Sequence, residues 1–352
     1  MKQIACIFLL ILSCYCRLAS QELPKLSGIV LNEVTKEPIQ EANVFFDGTS
    51  IHTKTDKNGK FELFPEKIVN ASLIIGHIRY DQVLIKNPFN YVPDTILLKE
   101  RENILNEIVV FDNYSREEKL KAFKDQFIGI NNEKKLCRIL NEEDIMLFYN
   151  SFSKTLYATA EKPLIIENDY LGYKLQYGLV DFKAEYNDST LNNDVVKRVS
   201  FYGTQYFTDI SPNNKKIQKR RKEIYKSSSL YFLLNFANNT LDKTDFKLRN
   251  KNKSADRNLY FEVTDSLSFK LFRILPDTDV YKKNPHLEEE VVANLVILYK
   301  DKALSDIIFL TDSFSIDEYG SINPESIGKI IFSGKIGDQR IGEMLPLDYE
   351  LK

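Results

Sequence analysis

Gly28-Ile29-Val30, Thr35, Pro38-Ile39, Ala42, Val44, Gly48-Thr49 and Thr55-Asp56-Lys57-Asn58-Gly59-Lys60-Phe61 set short apolar runs between residues that turn a chain. Val, Ile and Phe suit a pleated, half-buried surface, while Asn and Gly tolerate the positive φ of tight turns. The spacing predicts a small β-sandwich over 23–98, with strands at 26–31, 42–46, 51–55, 60–63, 71–77, 82–85 and 95–98. Asp56-Lys57-Asn58-Gly59 is the strongest turn signal and is read as a hairpin. No side chain in this stretch is placed for chemistry, so the reading favours a binding or spacer module.

The chain has 352 residues, more than one typical domain, so two domains are expected. A hydrophobic content of 43% with 12% aromatic is enough for packed cores. Its 48 basic and 50 acidic residues leave a net charge of −2, which argues against nucleic acid as a partner.

Residues 1–20 read as an export signal: Lys2, an apolar run over Ile4–Leu12, then small Ala19 and Ser20, with cleavage expected near Ser20/Gln21. The apolar run is far below the roughly 20 residues that span a bilayer. Cys6, Cys14 and Cys16 lie in this segment and leave Cys137 alone in the mature chain, so no disulfide framework is expected. Leu12-Ser13-Cys14 leaves a lipoprotein open as the rival, anchored through Cys14 or Cys16.

Residues 99–130 read as a connector containing a helix from Ser115, its N-cap, to about Phe127, with Leu120, Phe123 and Phe127 on one face. Residues 131–352 read as one larger β-rich domain. Tyr173, Leu175, Tyr177 and Leu179 alternate with polar residues, and the phase then slips to Phe182, Ala184 and Tyr186, which predicts a bulge near Val180–Asp181. Val291–Tyr299 is apolar on both faces and should be a central strand, turned back by 300–306 into 307–310. One long helix is expected over 211–238, capped by Ser211 with Pro212 at its first position. The fold class is therefore mainly β, a sandwich followed by a larger β-rich domain crossed by one long helix.

The opening pattern, G-x-V, T-x-x-P-I-x-x-A-x-V, G-T and T-D-x-x-G-x-F, resembles the carboxypeptidase regulatory-like domain, a transthyretin-like β-sandwich. The resemblance implies a non-catalytic fold often found at the N-terminus of exported bacterial envelope proteins, including TonB-dependent outer-membrane receptors. Ile104–Val110 resembles the segment that follows the domain in those receptors. The rest of the chain departs from them, being too short for a 22-stranded barrel and lacking its alternating segments. Pro163–Asn168, Leu171-Gly172-Tyr173 and the terminal Arg340-Ile341-Gly342 and Leu345–Tyr349 resemble uncharacterised envelope proteins that carry the same module.

Candidate chemistry is thin. His286-Leu287-Glu288-Glu289 contains the His-x-x-Glu of a zinc peptidase, but no later histidine supplies a third ligand, and His52 and His77 lie in the sandwich. No Gly-x-Ser-x-Gly, phosphate loop or dinucleotide fingerprint occurs. No cofactor or metal is expected. Carboxylate pairs for glycan cleavage are spatial and stay open. The sharpest charge feature is Lys215, Lys216, Lys219, Arg220, Arg221 and Lys222, a candidate grip for phosphate or lipopolysaccharide headgroups or simply a solvated helix face. Tyr202, Tyr206, Tyr225 and Tyr231, among 19 tyrosines, could line a partner surface or pack internally.

The expectation is a non-catalytic binding or assembly protein of a Gram-negative envelope, in the periplasm or at the outer membrane, with a protein or glycan partner. Association with outer-membrane nutrient uptake is one form of that role. The alternative is an envelope hydrolase of glycan or peptide, built on second-domain carboxylates.

Overall fold

The structure, a computed structural model, describes residues 25–66, 69–101, 114–130, 136–251, 253–266, 269–275, 291–317, 320–323, 326 and 328–351. The expected export signal and its cysteines, Ile104–Val110 and His286 lie outside the described residues. The fold is mainly β.

The first unit is a sandwich of seven strands: β1 (Leu26–Asn32), β2 (Asn43–Phe46), β3 (His52–Lys54), β4 (Lys60–Leu63), β5 (Leu73–Gly76), β6 (Val83–Ile85) and β7 (Thr95–Leu98). One sheet runs β4-β1-β7 and the other β3-β2-β5-β6, with Val30, Val44, Phe46, Leu73, Ile75 and Leu98 among the side chains buried between them. The Asp56–Gly59 turn is not a hairpin. Its flanking strands β3 and β4 belong to different sheets, so it carries the chain across the sandwich. Asp56 Oδ1 accepts from the Asn58 and Lys60 amides, and Gly59 takes φ +72° with its carbonyl accepting from Val30 N at 2.8 Å. A Cβ on Gly59 would lie 2.5 Å from the Val30 carbonyl oxygen, so the turn presses against β1 where only glycine fits.

Helix α1 (Arg116–Phe127) starts with a capping box: Ser115 accepts from the Glu118 amide while the Glu118 carboxylate accepts from Ser115 N. Expected as part of a connector, it instead supplies Phe123 and Phe127 to the core of the next sheet. That sheet holds β8 (Cys137–Ile139), β9 (Ile145–Asn150), β10 (Thr155–Ala160), β11 (Leu164–Asn168), β12 (Tyr173–Tyr186) and β13 (Val196–Asp209). β12 pairs β13 along one edge; on the other, β11 takes its first half and β10 its second. The register shift between Leu179 and Asp181 is the bulge expected there, and it falls where the partner strand changes.

The long helix expected over 211–238 is two helices, α2 (Lys215–Lys226) and α3 (Ser229–Ala237). Asn214, not Ser211, caps the first, accepting from Lys216 N and Ile217 N. The break falls at Ser227-Ser228, where Ser228 Oγ donates to the Tyr225 carbonyl and accepts from Tyr231 N. Serine hydroxyls compete for main-chain partners in this way and open a new N-cap.

The remaining strands are β14 (Phe246–Asn250), β15 (Lys253–Ser254), β16 (Phe261–Asp265), β17 (Phe269–Ile274), β18 (Ala293–Tyr299), β19 (Lys302–Phe309), β20 (Ser313–Asp317) and β21 (Ile330–Phe332). They form sheets β15-β14-β18-β19-β21 and β16-β17-β20, with Phe232, Leu233 and Phe236 of α3 packed into their shared core. β18 is central, as its two apolar faces predict. The turn expected over 300–306 is only Lys300-Asp301, both at positive φ, so β19 begins five residues earlier than read. Residues 131–352, expected as one β-rich domain, thus hold two hydrophobic cores.

Candidate functional site

Asn43, Asp47, Ser50, His52 and Asp348 make polar contacts along the seam where the sandwich meets the second sheet. The β2–β3 loop of the sandwich, Asp47-Gly48-Thr49-Ser50, lies on the edge of β13: Gly48 N donates to Gln205 O at 2.7 Å and Phe207 N to Thr49 O at 2.8 Å, a parallel bridge between Thr49 and Tyr206. Asp47 Oδ1 accepts from Gln205 N, and burial pushes its carboxyl up although that amide and Gly48 N pull the other way. Tyr206 sits between Phe45, with ring centroids 4.8 Å apart, and Ile74, and its hydroxyl donates to Asn43 Oδ1.

The C-terminal segment crosses the same seam. Gly342 N donates to Ile128 O, Gly342 O accepts from Asn168 Nδ2, Leu347 N donates to Gly48 O, and Asp348 accepts from the Ser50 amide and hydroxyl. The stretches around Asn168, Leu171–Tyr173 and Leu345–Tyr349, separate in sequence, therefore meet around the basic helix.

Arg221 is the centre of that meeting. Only 1% exposed, it donates to both oxygens of Asp209, at 2.7 and 2.8 Å, and to the carbonyls of Leu171 and Gly172. Its guanidinium lies 3.8 Å from the centre of the Tyr173 ring. Arg220 donates to the Tyr170 carbonyl and lies over that ring. Of the six residues expected as a surface grip, two are thus interior or stacked. Lys215, Lys216, Lys219 and Lys222 are exposed, with no ion-pair partner among the described residues.

A groove of about 670 Å³ opens beside this cluster, walled by Ser50, His52, Phe64, Arg221, Asp348 and Tyr349 among others. Its hydroxyl and imidazole groups at Ser50 and His52 are engaged. Ser50 donates to the Asp348 carboxylate rather than to an imidazole, and His52 Nε2 meets the Thr208 hydroxyl at 3.2 Å, so no hydroxyl–imidazole–carboxylate relay is assembled. Burial, aided by the neighbouring Lys54 ammonium, lowers the His52 pKa. A second groove of about 260 Å³ on the other side of Tyr206 is lined by Asn43, Phe45, Gln82, Arg101, Gln176 and Thr204 among others. Among the described residues, no three His, Cys, Asp or Glu side chains gather as metal ligands, and no helix is long and apolar enough to cross a membrane.

The four tyrosines weighed as a surface do not form one. Tyr206 and Tyr225 are buried, Tyr231 is half-buried against Tyr225 with centroids 5.2 Å apart, and only Tyr202 is open to solvent. Sequence reasoning missed Asp209 and Asp348, which carry no local signal because their partners lie 12 and 298 residues away. Arg221 did carry one: with Ile217 and Tyr225 it falls at i, i+4 and i+8, on the buried stripe of α2.

A search of curated proteins finds no match to the sequence. Among solved structures, a 9R-lipoxygenase from Cyanothece PCC8801 aligns at 14% identity with a TM-score of 0.17, over 61% of this chain and 46% of that one. A likeness of that size carries no argument, and the chain spans less than half of that protein. Residues 26–110 match the CarboxypepD_reg-like domain, and the N-terminal sandwich is a member of that family.

Proposed function

We propose that this chain is a non-catalytic binding or assembly protein of the Gram-negative cell envelope, exported and held in the periplasm or at the outer membrane. Service beside an outer-membrane nutrient receptor is one form of that role. The observation that carries the reading is the seam: main-chain pairing of Gly48 and Thr49 with β13, reinforced by Asp348 and Tyr206, fixes the regulatory-like module to the second sheet. Two units locked in this way present one preformed surface and two grooves, which suits recognition. Of the carboxylates lining the larger groove, Asp209, Asp348 and Glu62 serve Arg221, Ser50 and Lys25, which supports binding over a hydrolase built on those three groups.

Titration calorimetry of the purified chain with soluble peptidoglycan fragments and with periplasmic receptor domains, run beside product assays on the same glycans and on peptides, tests the proposal. Saturable binding without product is expected. Turnover that disappears in Asp348→Asn or Asp209→Asn would replace it with the hydrolase reading.

A further inference from the structure

The exposed face of α2 has an arrangement that helix stability alone does not explain. The helix Lys215–Lys226 carries seven cations and one acid, a formal +6, in a chain whose net charge is −2. Arg221 is neutralised inside the fold by Asp209, and Arg220 is held against Tyr170. What is left outside is lysine, with Lys215, Lys216, Lys219 and Lys222 exposed and Lys226 half-buried. Lys215, Lys219, Lys222 and Lys226 follow one another at spacings of four, three and four residues, which puts them on a single stripe, with Lys216 beside it. None has an ion-pair partner among the described residues.

The N-terminal part of the stripe works against the helix that bears it, while Lys226, in the last turn, suits the helix dipole. Like charges at i, i+4 repel, and Lys215 and Lys216 stand in the first turn, where the helix dipole favours acids. The only acid on α2 is Glu223. A solvated face built for stability would interleave acids with these lysines, as α1 does by placing Glu117 and Glu118 in its first turn. An uncompensated row of flexible ammonium groups fits a surface that supplies many anions at no fixed positions. Arg221, by contrast, shows what this fold does with a cation that has a defined partner.

We propose that the lysine face of α2 docks the protein onto an anionic lipid bilayer through phosphate-bearing headgroups. The inference goes beyond the binding role above and does not depend on which partner that role involves. Lysines near an anionic surface each add attraction that decays within a Debye length, so the association is salt-sensitive and reversible, and a face of four exposed lysines is a second signal able to hold a protein that has another tether.

Co-sedimentation of the full chain with phosphatidylcholine vesicles, with and without phosphatidylglycerol, reads the proposal directly. Binding to the phosphatidylglycerol vesicles alone is expected, lost when salt is raised to about 0.5 M. The triple variant K215Q/K219Q/K222Q should bind about 100-fold more weakly, roughly fivefold per lysine removed. Glutamine keeps the helix propensity of these exposed sites, and an unchanged circular dichroism spectrum verifies the fold. The control K174Q/K183Q/K197Q removes the same charge from strands β12 and β13 and should bind as the wild type does. Failure of the wild type to bind the anionic vesicles, full retention in the α2 variant, or an equal loss in the control would each overturn the proposal.

Discussion

Arg221 grips Asp209 with both arms of its guanidinium, at 2.7 and 2.8 Å, and thereby ties α2 to the last residue of β13. The same side chain holds the Leu171 and Gly172 carbonyls, so one residue fixes a helix, a strand end and the loop that precedes β12. Asp209 remains about one third exposed, so the pair is half in water and half in the core.

Removing Arg221 therefore takes the buried cation from the Asp209 carboxylate, which keeps the Ser211 amide, and the donors from two carbonyls. Arg221→Ala should cost about 3–5 kcal/mol. Arg221→Lys keeps the charge but not the fork and should cost about 2 kcal/mol. Adding Asp209→Asn to Arg221→Met should recover part of the loss, since no charge is then left unpaired. Urea denaturation of the four variants checks this ordering; an Arg221→Lys protein as stable as the wild type would remove Arg221 from its assigned role.

Gly59 gives a contrast that backbone conformation alone does not predict. Gly59 and Gly328 share positive φ, +72° and +80°, but a Cβ on Gly59 meets the Val30 carbonyl oxygen at 2.5 Å, whereas one on Gly328 meets nothing within 4 Å. Gly328→Ala should cost about 1 kcal/mol from backbone strain alone. Gly59→Ala adds a clash with main chain that cannot turn aside, and about 3 kcal/mol is expected. Thermal melts that rank the two equally would refute the close approach of the turn to β1.

Alkali should unfold the protein before its buried phenols ionise. Burial pushes Tyr186, Tyr206 and Tyr225 up to about 12, raises Tyr173 and Tyr177 as well, and pushes the Cys137 thiol up to about 12, with Asp169 adding to the last. Below the unfolded values, about 10 for tyrosine and 9 for cysteine, both states hold these protons and the stabilisation is complete. As pH rises past them, the unfolded chain gains by ionising while the folded chain does not, so stability falls toward pH 12. A phenolate absorbance titration should give a wave that coincides with loss of structure, carried by these buried phenols. At about pH 8 a thiol reagent should leave folded Cys137 untouched. A single wave near pH 10 in a still-folded protein would contradict the burial of these groups.

The strands were legible where one face meets water and the other a core. All seven strands of the sandwich lie within two residues of their alternation, and the phase slip after Leu179 located the bulge in β12. Legibility failed where the deciding partner is distant or the local signal is missing. Lys300-Asp301 turns a hairpin without glycine or asparagine, so the turn was expected within 300–306 but nothing marked it as only two residues long. Ser227-Ser228 read as an ordinary stretch of helix because serine breaks a helix only when its hydroxyl finds a main-chain partner. The seam could not be read at all, since it joins Gly48-Thr49 to Gln205–Phe207 and Leu347 across the length of the chain.

That seam makes the final prediction. Tyr206 packs against Phe45 and Ile74, and its hydroxyl reaches Asn43, so these contacts of the ring all belong to the other unit. Tyr206→Phe loses only the hydrogen bond and should cost about 1 kcal/mol. Tyr206→Ala leaves a cavity at the joint and should cost about 3–4 kcal/mol. Because Gly48 and Thr49 pair with β13 through main-chain atoms, the wild-type module and the second sheet should melt as one unit. In Tyr206→Ala the two cores lose their shared apolar contact while each keeps its own, so the module should melt first in a separate, earlier calorimetric transition. Exposed polar links such as Ser50–Asp348 are too weakly stabilising to hold the units together alone. A wild type that already melts in two steps, or a Tyr206→Ala protein that still melts in one at the original temperature, would mean that the module is tethered rather than fused to its neighbour.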